Sequence, residues 1–181
     1  ACYIFLAVLL APSLIEVGLN PLAVHMFVMY WGMVSFITPP VALAAFAASS
    51  VAKSSPMQTG VEAMRIGAII YFVPFFFVMN PVLVLQGDLT NFPIHFITAL
   101  LGITLVASGL QGYLPLAGDL RHTKWLEWPL RAALFIGGLM FVAPGGGMMP
   151  LSPVAMTGAA ALIAIPSAIL ARVMCRRVQP V

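Results

Sequence analysis

Apolar residues run through this chain in long blocks, separated by short polar or proline- and glycine-rich punctuation. Residues 61–86, 93–113 and 153–174 each supply the ~20 apolar residues a helix needs to cross a hydrocarbon core of about 30 Å. Residues 128–143 make a shorter fourth span, flanked by Trp125 and Trp128, whose rings suit a membrane–water interface. The blocks close on "QGDLTNFP", "PLAGDLRHTKWLEWP" and "APGGGMMPLSP". Two N-terminal blocks do not fit this template. Residues 2–16, interrupted by Pro12, approach the roughly 10–14 residues of a re-entrant arm. Residues 21–52 would extend about 48 Å as continuous helix, long for one span and too short for two.

The middle of that long block reads "SFITPPVALAAF". Proline has no N–H and its ring crowds the carbonyl four residues back, so Pro39 and Pro40 leave the carbonyls of Ser35 and Phe36 without helical donors. The residue before a proline is also pushed out of the helical region, which affects Thr38 and Pro39. A helix from about Leu22 is therefore expected to end near Ile37. A second is expected to start near Pro40, because proline suits a first helical turn.

Unpaired backbone costs several kcal/mol per group in lipid, so such a break must face protein or a water-filled cavity. Carbonyl ends of half-helices carry partial negative charge and amide ends partial positive charge. Secondary transporters hold coupling cations and anionic substrate groups at such ends. The hydroxyls of Ser35 and Thr38 add hard oxygen donors at the same place. The residues alone leave a second reading open, a structural kink whose hydroxyls bond back to the helix.

Composition fixes the solvent. Hydrophobic residues are 62% of 181 and charged residues 7%, against about 25% charged in soluble domains, so the chain is an integral membrane protein. Eight basic residues against five acidic ones are too few for a nucleic-acid surface. With the four spans above, Lys53, Arg65, Arg121, Lys124, Arg131, Arg172, Arg176 and Arg177 all fall on one side. The positive-inside rule makes that side, and the C-terminus, cytoplasmic. Cys2 and Cys175 stand at opposite ends and support neither a disulfide framework nor a zinc pattern. The chain opens inside an apolar run without methionine or a basic leader, as expected of a piece of a longer polypeptide.

The stretch "HMFVMYWGMVSFITPPVALAAFAASSVAKSSPMQTGVEAMRIGAIIYFVPFFFVMNPVLVLQG", residues 25–87, resembles the large membrane subunit of TRAP transporters. Its likeness is to the fused permeases that work with TAXI-type periplasmic binding proteins. Residues 1–24 resemble the second arm of the preceding helical hairpin, and residues 88–181 resemble the C-terminal extension of fused permeases, with about three transmembrane helices.

The resemblance implies an all-α, polytopic, elevator-type fold of two inverted repeats, each with a re-entrant hairpin and a discontinuous helix. Residues 1–87 would belong to the second repeat's transport domain. It implies sodium-coupled import of small organic acids across a bacterial or archaeal inner membrane. The implied partners are the TAXI-type binding protein and a small membrane subunit, or its fused equivalent upstream. No cofactor is implied beyond sodium as the coupling ion. By position, the unwound segment corresponds to Gly32, Ser35, Thr38, Pro39 and Pro40, with the Phe36 and Ile37 carbonyls between them. Sodium is expected at Ser35, Phe36 and Thr38, although the motif does not choose which residue touches ion and which touches substrate.

Other features read more plainly. His25, His95 and His122 lie in different segments and are taken as interfacial rather than metal-binding. Glu16 is read as a solvated helix end. Glu62 with Arg65 and Glu127 with Arg131 have helical spacing and are read as exposed pairs. "PGGGMMP" lacks the lysine and strand–helix context of a phosphate loop and is read as a turn. Asn80–Pro81 offers a second break, although so near a helix end it is read first as tuning a kink. No nucleophile–base pair or paired carboxylates occur at useful spacing, so an intramembrane enzyme has no residues to stand on. The alternative to a transporter is a structural or assembly module with no site of its own.

Overall fold

A computed structural model describes residues 2–87, 90, 92–115, 118–120, 126–142 and 153–178, with the side chains of the last segment described over 155–174. The chain divides into two compact units, Ala1–Leu89 and Thr90–Val181.

The first unit opens with α1 (Cys2–Leu9) and α2 (Ala11–Glu16). The interruption expected at Pro12 falls earlier, at Leu10. Pro12 occupies the first turn of α2, where a missing N–H costs nothing, and it is the carbonyl of Val8 that loses its donor. α3 (Pro21–Val34) starts sharply. The Asn20 side chain accepts from the Leu22 and Ala23 amides at 3.0 and 3.2 Å, and Pro21 takes the first helical position. Ala11, Val24 and Val28 form a buried core between α2 and α3, with Leu6, Leu14 and Phe27 packed around it.

After an irregular segment come α4 (Leu43–Ala52) and α5 (Pro56–Ile66), a 3-10 helix (Ala68–Tyr71), α6 (Val73–Met79) and a second 3-10 helix (Pro81–Val84). The uninterrupted span expected over 61–86 does not form. Pro56–Ile66 and Ala68–Met79 meet at 68°. Gly67 weakens the helix by its conformational freedom, and Pro74 offers no N–H to the carbonyl of Ile70. Asn80–Pro81 does more than tune a kink, since α6 stops at Met79. α3 and α6 meet through edge-on rings, Phe27 on Phe75 at 5.2 Å and Tyr30 on Phe77 at 5.5 Å between centroids. Such pairs contribute about 0.5–1.5 kcal/mol each beyond their burial.

The second unit contains α7 (Phe92–Gln111), β1 (Tyr113–Leu114), β2 (Gly118–Asp119), α8 (Glu127–Val142) and α9 (Pro153–Val178). Among the described residues, Phe92–Gln111 and Ala155–Met174 are long and apolar enough to cross a membrane, with the bent pair of the first unit as a third candidate. α8, expected as a span over 128–143, has 16 described helical residues. The expectation of helix alone also needs a small correction. Tyr113 pairs with Asp119 and Leu114 with Gly118 in an antiparallel ladder. Leu114 and neighbouring Leu120 then join Leu130, Leu134 and Ala171 in a buried cluster.

Glycines bring α7 and α8 together. A Cβ on Gly138 would lie 2.8 Å from the Gly102 carbonyl, and one on Gly109 2.7 Å from the Arg131 carbonyl. That approach corrects the reading of Glu127 and Arg131 as an exposed pair, because their side chains retain only 21% and 20% of their exposure. The Arg131 guanidinium donates to the carbonyls of Gly109 (2.9 Å) and Leu110 (2.6 Å) and to Glu127 (2.9 Å), and it lies over the Trp128 ring. It thus satisfies carbonyls at the end of α7 that have no helical donor. Glu62 and Arg65, at 3.5 Å, are exposed as expected.

Candidate functional site at two helix breaks

The first break follows α3. Because Pro39 and Pro40 carry no N–H, the last turn tightens: Phe36 N–H donates to Met33 O at 3.0 Å and Ile37 N–H to Val34 O at 3.1 Å. The helix ends at Val34, about one turn before the expected Ile37. The Thr38 hydroxyl takes the place of its own amide and donates to Val34 O at 2.7 Å. Ser35 likewise donates its hydroxyl to Gly32 O at 2.7 Å. The Pro39–Pro40 peptide is cis. The next helix begins at Leu43 rather than near Pro40, after Ala42 in a left-handed conformation (φ 33°) and fully buried.

Not every carbonyl freed by the prolines stays free. Phe36 O accepts from the Ala44 amide at 3.0 Å, which ties the two half-helices together and leaves this oxygen one lone pair. The carbonyls of Ser35 and Ile37 have no donor among the described residues, nor do the first-turn amides of Leu43 and Ala45 have a backbone acceptor. Acceptors and donors are therefore both left open around one irregular segment, with hydroxyl oxygens beside them.

The second break, between α5 and α6, is held against the first. Tyr71, the last residue of the 3-10 helix, places its hydroxyl 2.6 Å from Thr38 Oγ1. Its ring meets Trp31 of α3 edge-on at 6.0 Å. Trp31 Nε1 is buried and has no acceptor among the described residues. α5 approaches the irregular segment through two glycines. A Cβ on Gly60 would sit 2.7 Å from Pro39 Cγ, and one on Gly67 3.0 Å from Ile37 Cδ1.

Of the residues singled out in the sequence, Ser35, Phe36, Ile37, Thr38, Pro39 and Pro40 all lie in the first break. Gly32 does not line it directly, since its Cβ position faces the backbone of Tyr3 in α1. Phe36 contributes its carbonyl and leaves its side chain half exposed. Glu16 is exposed at the end of α2. His25 has a specific partner in the Tyr3 hydroxyl, at 3.1 Å, rather than interfacial solvent alone. His95 lies in α7, while His122 and "PGGGMMP" fall outside the described residues. Among the described residues no three His, Cys, Asp or Glu side chains gather as metal ligands.

Tyr71, Gly60 and Gly67 carry no individual mark in the sequence. The seven-residue spacing of the glycines is two turns of helix and is the one available hint that they share a face.

Residues 1–92 match the family model of the tripartite ATP-independent periplasmic transporter, DctM component. The chain belongs to this family. As a DctM component it is an integral membrane part of a TRAP transporter and not an enzyme. The matched residues contain the whole first unit and both helix breaks of the DctM component. No curated protein and no solved structure matches the chain.

Proposed function

We propose that the first break forms part of the ion and cargo site of a sodium-coupled permease importing small organic acids. The permease is of the fused kind served by a TAXI-type periplasmic binding protein. It moves its cargo by an elevator motion and lies in the inner membrane with its C-terminus cytoplasmic. The observation that carries this reading is the set of acceptors at one turn: Ser35 O and Ile37 O, the second lone pair of Phe36 O, and the one lone pair that Thr38 Oγ1 keeps beside its bonds to Val34 O and the Tyr71 hydroxyl. A hard cation prefers such oxygen ligands, and neutral ones let it leave again. The unsatisfied amides at the start of α4 suit the carboxylate of an anionic cargo.

The test is Thr38→Val in the assembled transporter, which keeps the β-branched shape and removes one oxygen. Sodium for half-maximal uptake is expected to rise about tenfold, equivalent to ~1.4 kcal/mol. A specific observation favours a second reading, in which the break is a packing kink: the hydroxyls of Ser35 and Thr38 both bond back to helix carbonyls. Unchanged sodium dependence in Thr38→Val, at equal membrane expression, would decide for the kink.

A further inference from the structure

We infer that Tyr71 is a positioning residue for the coupling-ion site, acting through the Thr38 hydroxyl; this rests on the reading of the first break as that site. Thr38 Oγ1 carries one proton, and the Val34 carbonyl 2.7 Å away can only accept. The Thr38 proton therefore goes to Val34 O. The contact between Thr38 Oγ1 and the Tyr71 hydroxyl, at 2.6 Å, is then made with the tyrosine proton.

A hydroxyl oxygen has two lone pairs. One receives the Tyr71 proton, and the other is the one that remains for a cation. Its direction is set by two bonds that come from two different broken segments. One bond is to the end of α3; the other is from the end of the 3-10 helix Ala68–Tyr71.

This gives the bend between α5 and α6 a purpose. A straight helix through Gly67 and Pro74 would carry Tyr71 elsewhere; the 68° bend brings its hydroxyl to the first break. The ring is steadied from the side by Trp31 at 6.0 Å, so the phenol arrives with little freedom. Tyr71 contributes orientation rather than a ligand, and its loss should weaken ion coupling only as long as Thr38 is there to be oriented.

The experiment is a double-mutant cycle of Tyr71→Phe and Thr38→Val in the assembled transporter with its binding protein, at matched membrane expression. Two readouts are taken: sodium for half-maximal uptake, and the sodium dependence of the melting temperature of the purified transporter. The second follows binding without requiring turnover.

Tyr71→Phe keeps the ring against Trp31 and removes only the hydroxyl. It is expected to raise the half-maximal sodium concentration about three- to tenfold, with the cargo KM at saturating sodium unchanged. On the Thr38→Val background it should add nothing. Tyr30→Phe, which removes a phenol from the neighbouring α3–α6 contact with Phe77, should leave both readouts alone.

A shift in Thr38→Val without one in Tyr71→Phe overturns the role of Tyr71 and leaves the ion-site reading standing. Independent, multiplying shifts overturn it too, by making Tyr71 a ligand in its own right. No shift in either single variant overturns the ion-site reading, and the role of Tyr71 falls with it.

Discussion

At the residue scale, the first break is as much a matter of what is missing as of what is present. Two prolines remove donors, and two glycines, Gly60 in α5 and Gly67 just after it, remove side chains from the surface on which the irregular segment lies. Gly60 is the stricter of the two. A methyl there would overlap a proline ring, which cannot rotate aside, and would also meet Ala42 at 3.7 Å. Gly67 faces the mobile tip of Ile37 as well as its own helix carbonyl at Ala63. Gly60→Ala is therefore expected to destabilise the transporter by about 1–3 kcal/mol, as overpacking does. It should also depress uptake, while Gly67→Ala does less of both. Melting temperatures of the purified variants, read beside initial uptake rates, check the ranking; equal melting temperatures for Gly60→Ala and the parent would refute it.

At the element scale, the α7–α8 pair shows how a charge becomes structural. Close approach at Gly109 brings the Arg131 fork to two carbonyls at the end of α7, and Glu127 and Trp128 hold the guanidinium from its other sides. Hydrogen bonds to charged groups contribute about 1.5–3 kcal/mol. Arg131→Ala should lower the unfolding temperature measurably, and Arg131→Lys should recover only part of the loss, since an ammonium cannot fork. An unchanged unfolding temperature in Arg131→Ala would show the clamp to be idle.

This contact also marks where sequence reasoning stopped. The i,i+4 spacing of Glu127 and Arg131 was visible, but their burial depends on a glycine about 20 residues away in another helix. The apolar blocks, a helix starting near Leu22 and the break at Pro39–Pro40 were legible because each rests on local backbone chemistry. The bend over 61–86 was less so. Its causes, Gly67 and Pro74, are tolerated in many membrane helices, and only the packing of Tyr71, Phe75 and Phe77 on α3 selects the bent form. The partner of Thr38 lies 33 residues ahead, at a distance no periodicity reports.

At the scale of the whole molecule, the proposed orientation rests on where the basic residues stand in the sequence. Cys175 lies between Arg172 and the pair Arg176 and Arg177, a cluster that the positive-inside rule keeps cytoplasmic. With the exposed Cys2 replaced, Cys175 should resist membrane-impermeant thiol reagents in intact cells and react once the membrane is opened. Ready labelling of intact cells would reverse the topology and put the loop after 61–86 on the cytoplasmic side.

Ala42 has a consequence for how freely this stretch can vary. Its left-handed backbone (φ 33°) is easiest for glycine and, among larger side chains, for asparagine. It is also completely buried, close to the face of α5 at Gly60, so a larger side chain would have to displace its neighbours. The two demands overlap on alanine and glycine alone. Position 42 is thereby left with an alphabet of two letters.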